Sequence, residues 1–171
     1  IRWRNIENTW CYWQSDPEYL IEMIGGSYLG ANPHLSYRRL FEAFIKYKIA
    51  IHSYSYFPLL DHQLQANEAW RSLRVCRKYL ENKMQRKYTP LRLGHSLGCK
   101  LNLLSPDGGR GLEGLVSISF NNFSAKKSIP IFQEISSNFN FNNEFNPSPT
   151  ETLKLINENY HQTNNLIIGF K

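Results

Sequence analysis

The residues Leu91-Arg92-Leu93-Gly94-His95-Ser96-Leu97-Gly98-Cys99-Lys100-Leu101 contain the strongest structural signal in this chain. A short apolar strand, Leu91–Leu93, runs directly into a Gly-x-Ser-x-Gly motif, and an apolar helix begins at its serine. The motif alone is a weak signal, because short Gly/Ser strings occur by chance. Its position between strand and helix is specific, because a sharp turn there lifts a serine hydroxyl above the end of the strand. We therefore predict a strained backbone at Ser96.

Strands and helices alternate along the rest of the chain, which predicts a mostly parallel sheet with helices on both faces. The predicted strands are Leu20–Ile24, Lys48–Tyr54, Leu91–Leu93, Gly114–Phe120 and Asn165–Lys171. The predicted helices begin at Asn32-Pro33, run from Asp61 towards Lys87, follow Ser96, and start at the capping box Ser148–Glu151. With the elbow-like turn, this order predicts an α/β-hydrolase-like fold.

The composition indicates one soluble globular domain over residues 1–171, with 42% hydrophobic and 20% charged residues. Residues 1–19 form an N-terminal aromatic segment, and residues 124–147 are predicted to be a cap or irregular excursion. No apolar run approaches the roughly 20 residues that span a bilayer, so no transmembrane segment is predicted. The chain begins without Met or a signal peptide, which indicates a processed or trimmed product.

Charge and cysteine content limit the partners that this chain can have. The net charge of +6 comes partly from a basic helix face, which carries Arg71, Arg74, Arg77, Lys78, Lys83, Arg86 and Lys87. A solvated face is the favoured interpretation, and contact with nucleic acid, anionic lipid or an acidic partner is the alternative. No nucleic-acid-binding motif accompanies it.

The three cysteines are too scattered for a disulfide framework and are expected to be reduced, which favours a reducing compartment.

A second motif, Gly25-Gly26-Ser27-Tyr28, follows the predicted strand Leu20–Ile24. In the α/β-hydrolase arrangement, the loop at this position gives one N–H of an oxyanion hole, and the residue after the nucleophile gives the other. Ser27 and Leu97 are the corresponding residues here, with Ser96 as the candidate nucleophile. An ordinary strand-to-helix turn is the alternative interpretation of the two glycines.

None of the five histidines occupies the position expected for the general base. His62 is a candidate for substrate binding because it follows a strand beside Asp61, and His95 is a candidate because it lies inside the motif. His52, on a central strand, is expected to be a hydrogen-bonded core residue. Asn121-Asn122 could bind a ligand, although turn formation is the favoured interpretation. No cluster has metal-ligand spacing, so neither a metal nor a cofactor is predicted.

Five longer strings identify a resemblance that covers nearly the whole chain from Trp10. They are IGGSYLGANPHLSYRRL, LLDHQLQANEAW, GHSLGCKLNLL, SISFNNFSAKKSIP and NPSPTETLKLINENY. Together they resemble the family called domain of unknown function 1350, an α/β-hydrolase-like family of cyanobacteria and plastid-bearing eukaryotes. The resemblance implies plastid stroma or cyanobacterial cytoplasm. It also implies that an Asp segment and then a His segment follow the strand matching Leu166–Phe170, so this chain lacks the C-terminal part and both triad partners.

Two functions of different classes are compatible with the sequence. The first is a serine hydrolase of an ester or other acyl substrate, completed by an acid and a histidine beyond these residues. The second is a non-catalytic subunit or assembly factor docked in a plastid protein complex. Its contacts would be the aromatic segment, with Trp3, Trp10 and Trp13, or the basic helix. For the chain as given, the sequence predicts little esterase turnover and a poorly reactive Ser96.

Overall fold

The computed structural model describes residues 2–128 and 144–170. The strands are β1 (Arg4–Ile6), β2 (Thr9–Tyr12), β3 (Tyr19–Ile24), β4 (Ile49–Tyr54), β5 (Leu91–His95), β6 (Gly114–Ile118) and β7 (Asn165–Ile168). The helices are α1 (Pro33–Ser36), α2 (Arg38–Ile45), α3 (His62–Met84), α4 (Leu97–Leu103), α5 (Ala125–Ser128) and α6 (Pro149–Asn159). Of the predicted 124–147 excursion, residues 129–143 lie outside the described residues.

The strands form one sheet in the order β1-β2-β4-β3-β5-β6-β7. From β4 to β7 all neighbours are parallel, while β1 and β2 pair antiparallel at one edge. Because parallel strands end on the same side, the loops after β3, β4, β5 and β6 meet along one edge of the sheet. The predicted α/β architecture is therefore confirmed, and this edge carries the candidate site described below.

The N-terminal aromatic segment packs as the leading hairpin of the sheet. Trp3 lies 5.5 Å from the Phe41 ring, and Trp13 is buried beneath the guanidinium of Arg4 at 4.4 Å. Trp10 stacks on His34 with ring centroids 3.8 Å apart. The three tryptophans thus contact other residues of this domain, as expected for a strand pairing, because their apolar surface is too large to leave in water.

The helix that the sequence predicts after Asn32-Pro33 is interrupted in the structure. It divides at Tyr37, which has φ −108° and ψ 21°, into α1 and α2. The Tyr37 hydroxyl accepts a hydrogen bond from the Gly26 N–H at 2.8 Å and lies 2.8 Å from His95 Nδ1. These tertiary contacts, which no local helix pattern encodes, accompany the break.

Two of the four predicted helix starts, at Asp61 and Ser148, are confirmed by side-chain caps. Asp61 accepts a hydrogen bond from the Leu64 N–H at 2.8 Å at the start of α3. Ser148 and Glu151 form the reciprocal capping box of α6. The other end of α3 was predicted too far along the chain, near Lys87. It stops at Met84 because Gln85 adopts a left-handed conformation, with φ 51°.

The core contains a network of charged side chains that begins on β3 and β5, two neighbouring strands in the middle of the sheet. Glu22 of β3 is fully buried and pairs with Arg77 at 2.8 Å and with Arg92 at 3.2 Å. Arg92 also lies 2.8 Å from Asp107. Arg77, predicted as part of a solvated basic face, therefore turns inward. Such a network holds its strands and helices in one register, because an unpaired buried charge is costly.

The three thiols lie in the core. Cys11, Cys76 and Cys99 are buried and free, in agreement with the sequence prediction. His52 is fully buried as well, but neither ring nitrogen has a hydrogen-bond partner among the described residues, so the expectation of a hydrogen-bonded His52 was wrong. Within the described ranges, no helix combines the length and apolar character that a bilayer crossing requires.

Candidate active site

The turn at Ser96 has the strained geometry that the glycine spacing predicts. Ser96 lies between β5 and α4 with φ 51° and ψ −118°. A Cβ on Gly98 would overlap the Ile24 carbonyl, and one on Gly94 would lie 2.7 Å from Cys99 Cα. Only glycine at both positions lets α4 approach β3 and β5 this closely. Strained backbone conformations of this kind are concentrated at functional sites.

The two candidate oxyanion donors face the same cavity as Ser96. Both Ser27 and Leu97 line it, and among the described residues neither backbone N–H donates to a protein acceptor. The loop carrying Ser27 is held by the Gly26 N–H bond to Tyr37 and by a 2.7 Å bond from the Gly30 N–H to the Gly26 carbonyl. A backbone N–H group that is held in place in this way can stabilise an oxyanion without rearrangement of the loop.

The cavity has a volume of about 530 Å³ and lies at the carboxyl edge of the parallel strands. Its walls come from the loops after β3, β4 and β6, the first turns of α3 and α4, and the described residues flanking 129–143. They are Ser27, Tyr28, Pro58, Leu59, Leu60, His62, Ser96, Leu97, Lys100, Asn121, Asn122, Phe123, Lys127, Ser128 and Phe145. A cavity of this size, mixed in polarity, suits a small organic ligand.

His62 is the histidine that the structure brings into the cavity. It is almost fully buried, stacks on Phe145 at 4.2 Å, and its Nδ1 has no partner among the described residues. Burial, assisted by the charge of Lys100, lowers the pKa of His62 to about 4. The ring is therefore neutral at pH 7 but a weak base. No side chain of residues 2–128 or 144–170 forms a hydrogen bond with the Ser96 hydroxyl.

His95, the other histidine predicted to bind substrate, does not line the cavity. Its Nδ1 lies 2.8 Å from the Tyr37 hydroxyl, and its ring packs at 5.8 Å against the Tyr37 ring. Burial lowers the pKa of His95 as well. The ring thus braces the turn between β5 and α4 against the loop after β3, and a Cβ on Gly26 would approach it to 2.9 Å.

Lys100 is a cavity residue that the sequence analysis missed. It is only 3% exposed, its Nζ donates to the Pro147 carbonyl at 3.1 Å, and it lies 5.4 Å from the centre of the Phe145 ring. Burial lowers the pKa of Lys100 to about 8, against a smaller raising effect of Glu144. The sequence did contain a signal for this position, because Lys100 follows Ser96 by four residues, about one helical turn.

Asn121 and Asn122 also line the cavity. Asn122 Nδ2 donates to the Pro149 carbonyl at 2.7 Å, which ties the loop after β6 to the start of α6. Its buried Oδ1 has no partner in the described part of the chain, so it is available to a ligand donor. Among these same residues, no three His, Cys, Asp or Glu side chains gather as a metal site.

Solved structures with the same fold include three named proteins from other organisms. Carboxyl esterase 2 from the mycorrhizal fungus Tuber melanosporum has a TM-score of 0.62 at 16% identity, over 94% of this chain and 61% of its own. TT1662 from Thermus thermophilus has a TM-score of 0.57 at 11% identity, over 99% and 89% respectively. The siderophore hydrolase EstB from Aspergillus fumigatus has a TM-score of 0.51 at 18% identity, over 67% and 39%.

These identities are low, so the similarity establishes the fold and not the reaction. This chain spans less than two thirds of the length of the fungal esterase and of the siderophore hydrolase. None of the curated proteins matches the sequence. The sequence model of one family, described as "Protein of unknown function (DUF1350)", matches residues 2–171. The chain therefore belongs to this family and has an α/β-hydrolase fold.

Proposed function

We propose that this protein is a serine hydrolase of an ester or other acyl substrate, with Ser96 as the nucleophile. The observation that carries the proposal is the backbone of Ser96, at φ 51° between β5 and α4, facing a cavity that Ser27 and Leu97 also line. A strained serine that shares a cavity with two N–H donors lacking an acceptor among the described residues serves acyl transfer, because the serine attacks the carbonyl and the donors stabilise its oxygen.

In the proposed reaction, Ser96 Oγ attacks the substrate carbonyl and the alcohol or thiol departs with a proton. The N–H groups of Ser27 and Leu97 donate to the tetrahedral oxyanion, and water then releases the acyl group from Ser96. Each step needs a base. His62 is the cavity histidine among the described residues, but its pKa of about 4 makes it a poor proton acceptor. The family resemblance instead implies an acid and a histidine in a segment following Leu166–Phe170.

The test is ester hydrolysis by the full-length natural protein and two serine variants. Ser96→Ala should lower kcat/KM for 4-nitrophenyl hexanoate at least about 1,000-fold, because the nucleophile is lost. Ser128→Ala is the matched control, since Ser128 lines the same cavity and takes no part in the proposed chemistry. Turnover that survives Ser96→Ala would contradict the proposal.

The same assay identifies the base. If His62 supplies it, His62→Phe should reduce turnover as strongly as Ser96→Ala does, and residues 1–171 alone should be active. If the base lies in the segment that the resemblance implies, residues 1–171 should be nearly inactive while His62→Phe leaves the full-length protein within about tenfold of wild type.

A docking subunit is the second candidate function, and the surface of β7 favours it. Ile167 is 73% exposed and Phe170 is 77% exposed, with Leu166 exposed beside them. An apolar strand of this kind is a surface to which another polypeptide segment could bind. This function predicts no Ser96-dependent turnover, and a lower native mass in extracts after Ile167→Asp.

For both functions we propose a plastid or cyanobacterial location on the basis of the family resemblance. Imaging of a tagged natural protein tests this location.

A further inference from the structure

We propose that the acyl substrate carries a carboxylate and that Lys100 binds it, so that this enzyme prefers half-esters of dicarboxylic acids over neutral esters. The inference rests on the proposed hydrolase function and specifies its substrate class. It comes from the buried ammonium of Lys100, which shares one cavity with Ser96.

The ammonium of Lys100 is incompletely satisfied by the described residues. Of its three N–H donors, one bonds to the Pro147 carbonyl at 3.1 Å. The side chain also faces the Phe145 ring at 5.4 Å, on the cavity wall. No carboxylate of residues 2–128 or 144–170 comes within 4 Å of Nζ. A buried cation of this kind gains most from an anion that the cavity admits.

Glu144, the carboxylate that raises the pKa of Lys100, already accepts hydrogen bonds from backbone N–H groups. Glu144 is exposed, and its Oε1 accepts hydrogen bonds from the Ala125 N–H at 2.7 Å and the Phe145 N–H at 2.8 Å. It raises the pKa of Lys100, but by less than burial lowers it. Glu144 therefore shapes the loop at the cavity wall and leaves the ammonium for a ligand.

The charge of the cavity wall agrees with an anionic ligand. Its described lining residues include two lysines, Lys100 and Lys127, and no aspartate or glutamate. His62 adds no charge to this wall at pH 7, because burial lowers its pKa to about 4. The net positive wall attracts carboxylates and disfavours cationic substrates.

The spacing along α4 limits the length of the substrate. Lys100 follows Ser96 by four residues, about one helical turn or roughly 6 Å along the axis. Half-esters with a few methylenes between carbonyl and carboxylate are therefore the probes to use first. Adipate half-esters are of this kind, and hexanoate esters are their neutral counterparts of equal chain length.

The experiment compares 4-nitrophenyl hydrogen adipate with 4-nitrophenyl hexanoate on the full-length protein, after subtraction of the Ser96→Ala background. We expect kcat/KM to favour the adipate about 10- to 100-fold, as a charge-assisted hydrogen bond allows. Lys100→Met should reduce this ratio to about 1, and the ratio of the two esters within each variant is the readout, so that a general change in turnover cancels. Lys154→Met, which removes an exposed charge on α6, is the matched control and should leave the ratio unchanged.

Binding to the Ser96→Ala protein separates failure of this inference from failure of the hydrolase function. Equal turnover of both esters that depends on Ser96 would keep the hydrolase and overturn the carboxylate site. Absence of Ser96-dependent turnover, together with calorimetric binding of the adipate half-ester that Lys100→Met abolishes, would overturn the hydrolase and keep the site. Absence of both turnover and binding of the adipate half-ester would overturn this inference and the hydrolase proposal together.

Discussion

Arg92 and Lys100 are both buried basic side chains, eight residues apart on consecutive elements, yet their surroundings differ. Arg92 of β5 is 1% exposed and lies between two carboxylates, Glu22 at 3.2 Å and Asp107 at 2.8 Å. Lys100 of α4 is 3% exposed and meets one backbone carbonyl among the described residues. The first cation is paired with carboxylates within the fold, whereas residues 2–128 and 144–170 place no carboxylate within 4 Å of the second, at the wall of a cavity.

The difference distinguishes the paired charged groups of the core from the polar groups of the candidate site. In the middle of the sheet, charged groups are paired, because an unpaired buried charge would destabilise the domain. At the carboxyl edge, several polar groups have no partner in the described part of the chain: the N–H groups of Ser27 and Leu97, Nδ1 of His62 and Oδ1 of Asn122. Functional sites commonly retain such groups at a cost in stability.

Removal of Arg92 should have the largest effect on stability. Arg92→Met leaves Asp107 without its cation and Glu22 with Arg77 alone, so the free energy of unfolding should fall by about 3–5 kcal/mol. Urea denaturation of both proteins measures this difference. A loss below about 1 kcal/mol would mean that the network contributes no more than an apolar core would.

The second prediction concerns His52, whose burial lowers its pKa to about 4 from 6.5. Between pH 6.5 and 4 the unfolded chain binds a proton that the folded protein excludes, so stability falls as the pH is lowered through this window. The loss is up to about 3 kcal/mol by pH 4. His52→Leu should remove this part of the acid sensitivity, as measured by urea denaturation at several pH values. An unchanged pH dependence would show that His52 takes up its proton in the fold.

Gly98 should tolerate no side chain. Gly98→Ala places a methyl group against the Ile24 carbonyl, which should force α4 away from β3 and destabilise the domain by about 1–3 kcal/mol. Gly169→Ala is the control, because a Cβ there meets nothing within 4 Å. Thermal unfolding compares the two variants, and equal melting temperatures would contradict the close packing of the turn.

The smallest effect is expected at Lys100. Lys100→Met removes a buried cation without breaking an ion pair within 4 Å among the described residues, so stability should stay within about 1 kcal/mol of wild type or increase. Urea denaturation beside Arg92→Met makes the comparison direct. A loss as large as that of Arg92→Met would show that Lys100 is matched within the fold after all.

The sequence predicted features that depend on neighbouring residues. The Gly-x-Ser-x-Gly turn, the caps at Asp61 and Ser148, and the alternation of strands and helices that indicates a mostly parallel sheet are local or periodic patterns, and all are confirmed. The sequence analysis failed where contacts between residues far apart in the sequence determine the structure. The break at Tyr37 follows contacts with Gly26 and His95, and the inward turn of Arg77 follows its pairing with Glu22. The cavity position of Lys100 depends on Pro147 and Phe145, far along the chain.

The most direct test of the account is the covalent reaction of the full-length protein with a fluorophosphonate probe, followed by peptide mass mapping. We expect one adduct, on Ser96 within Gly94–Gly98, which disappears in Ser96→Ala and persists in Ser128→Ala. A base-activated serine beside the oxyanion donors should react, whereas an exposed serine such as Ser128 should not. An unlabelled protein, or an adduct that survives Ser96→Ala, would contradict the assignment of Ser96 as the nucleophile.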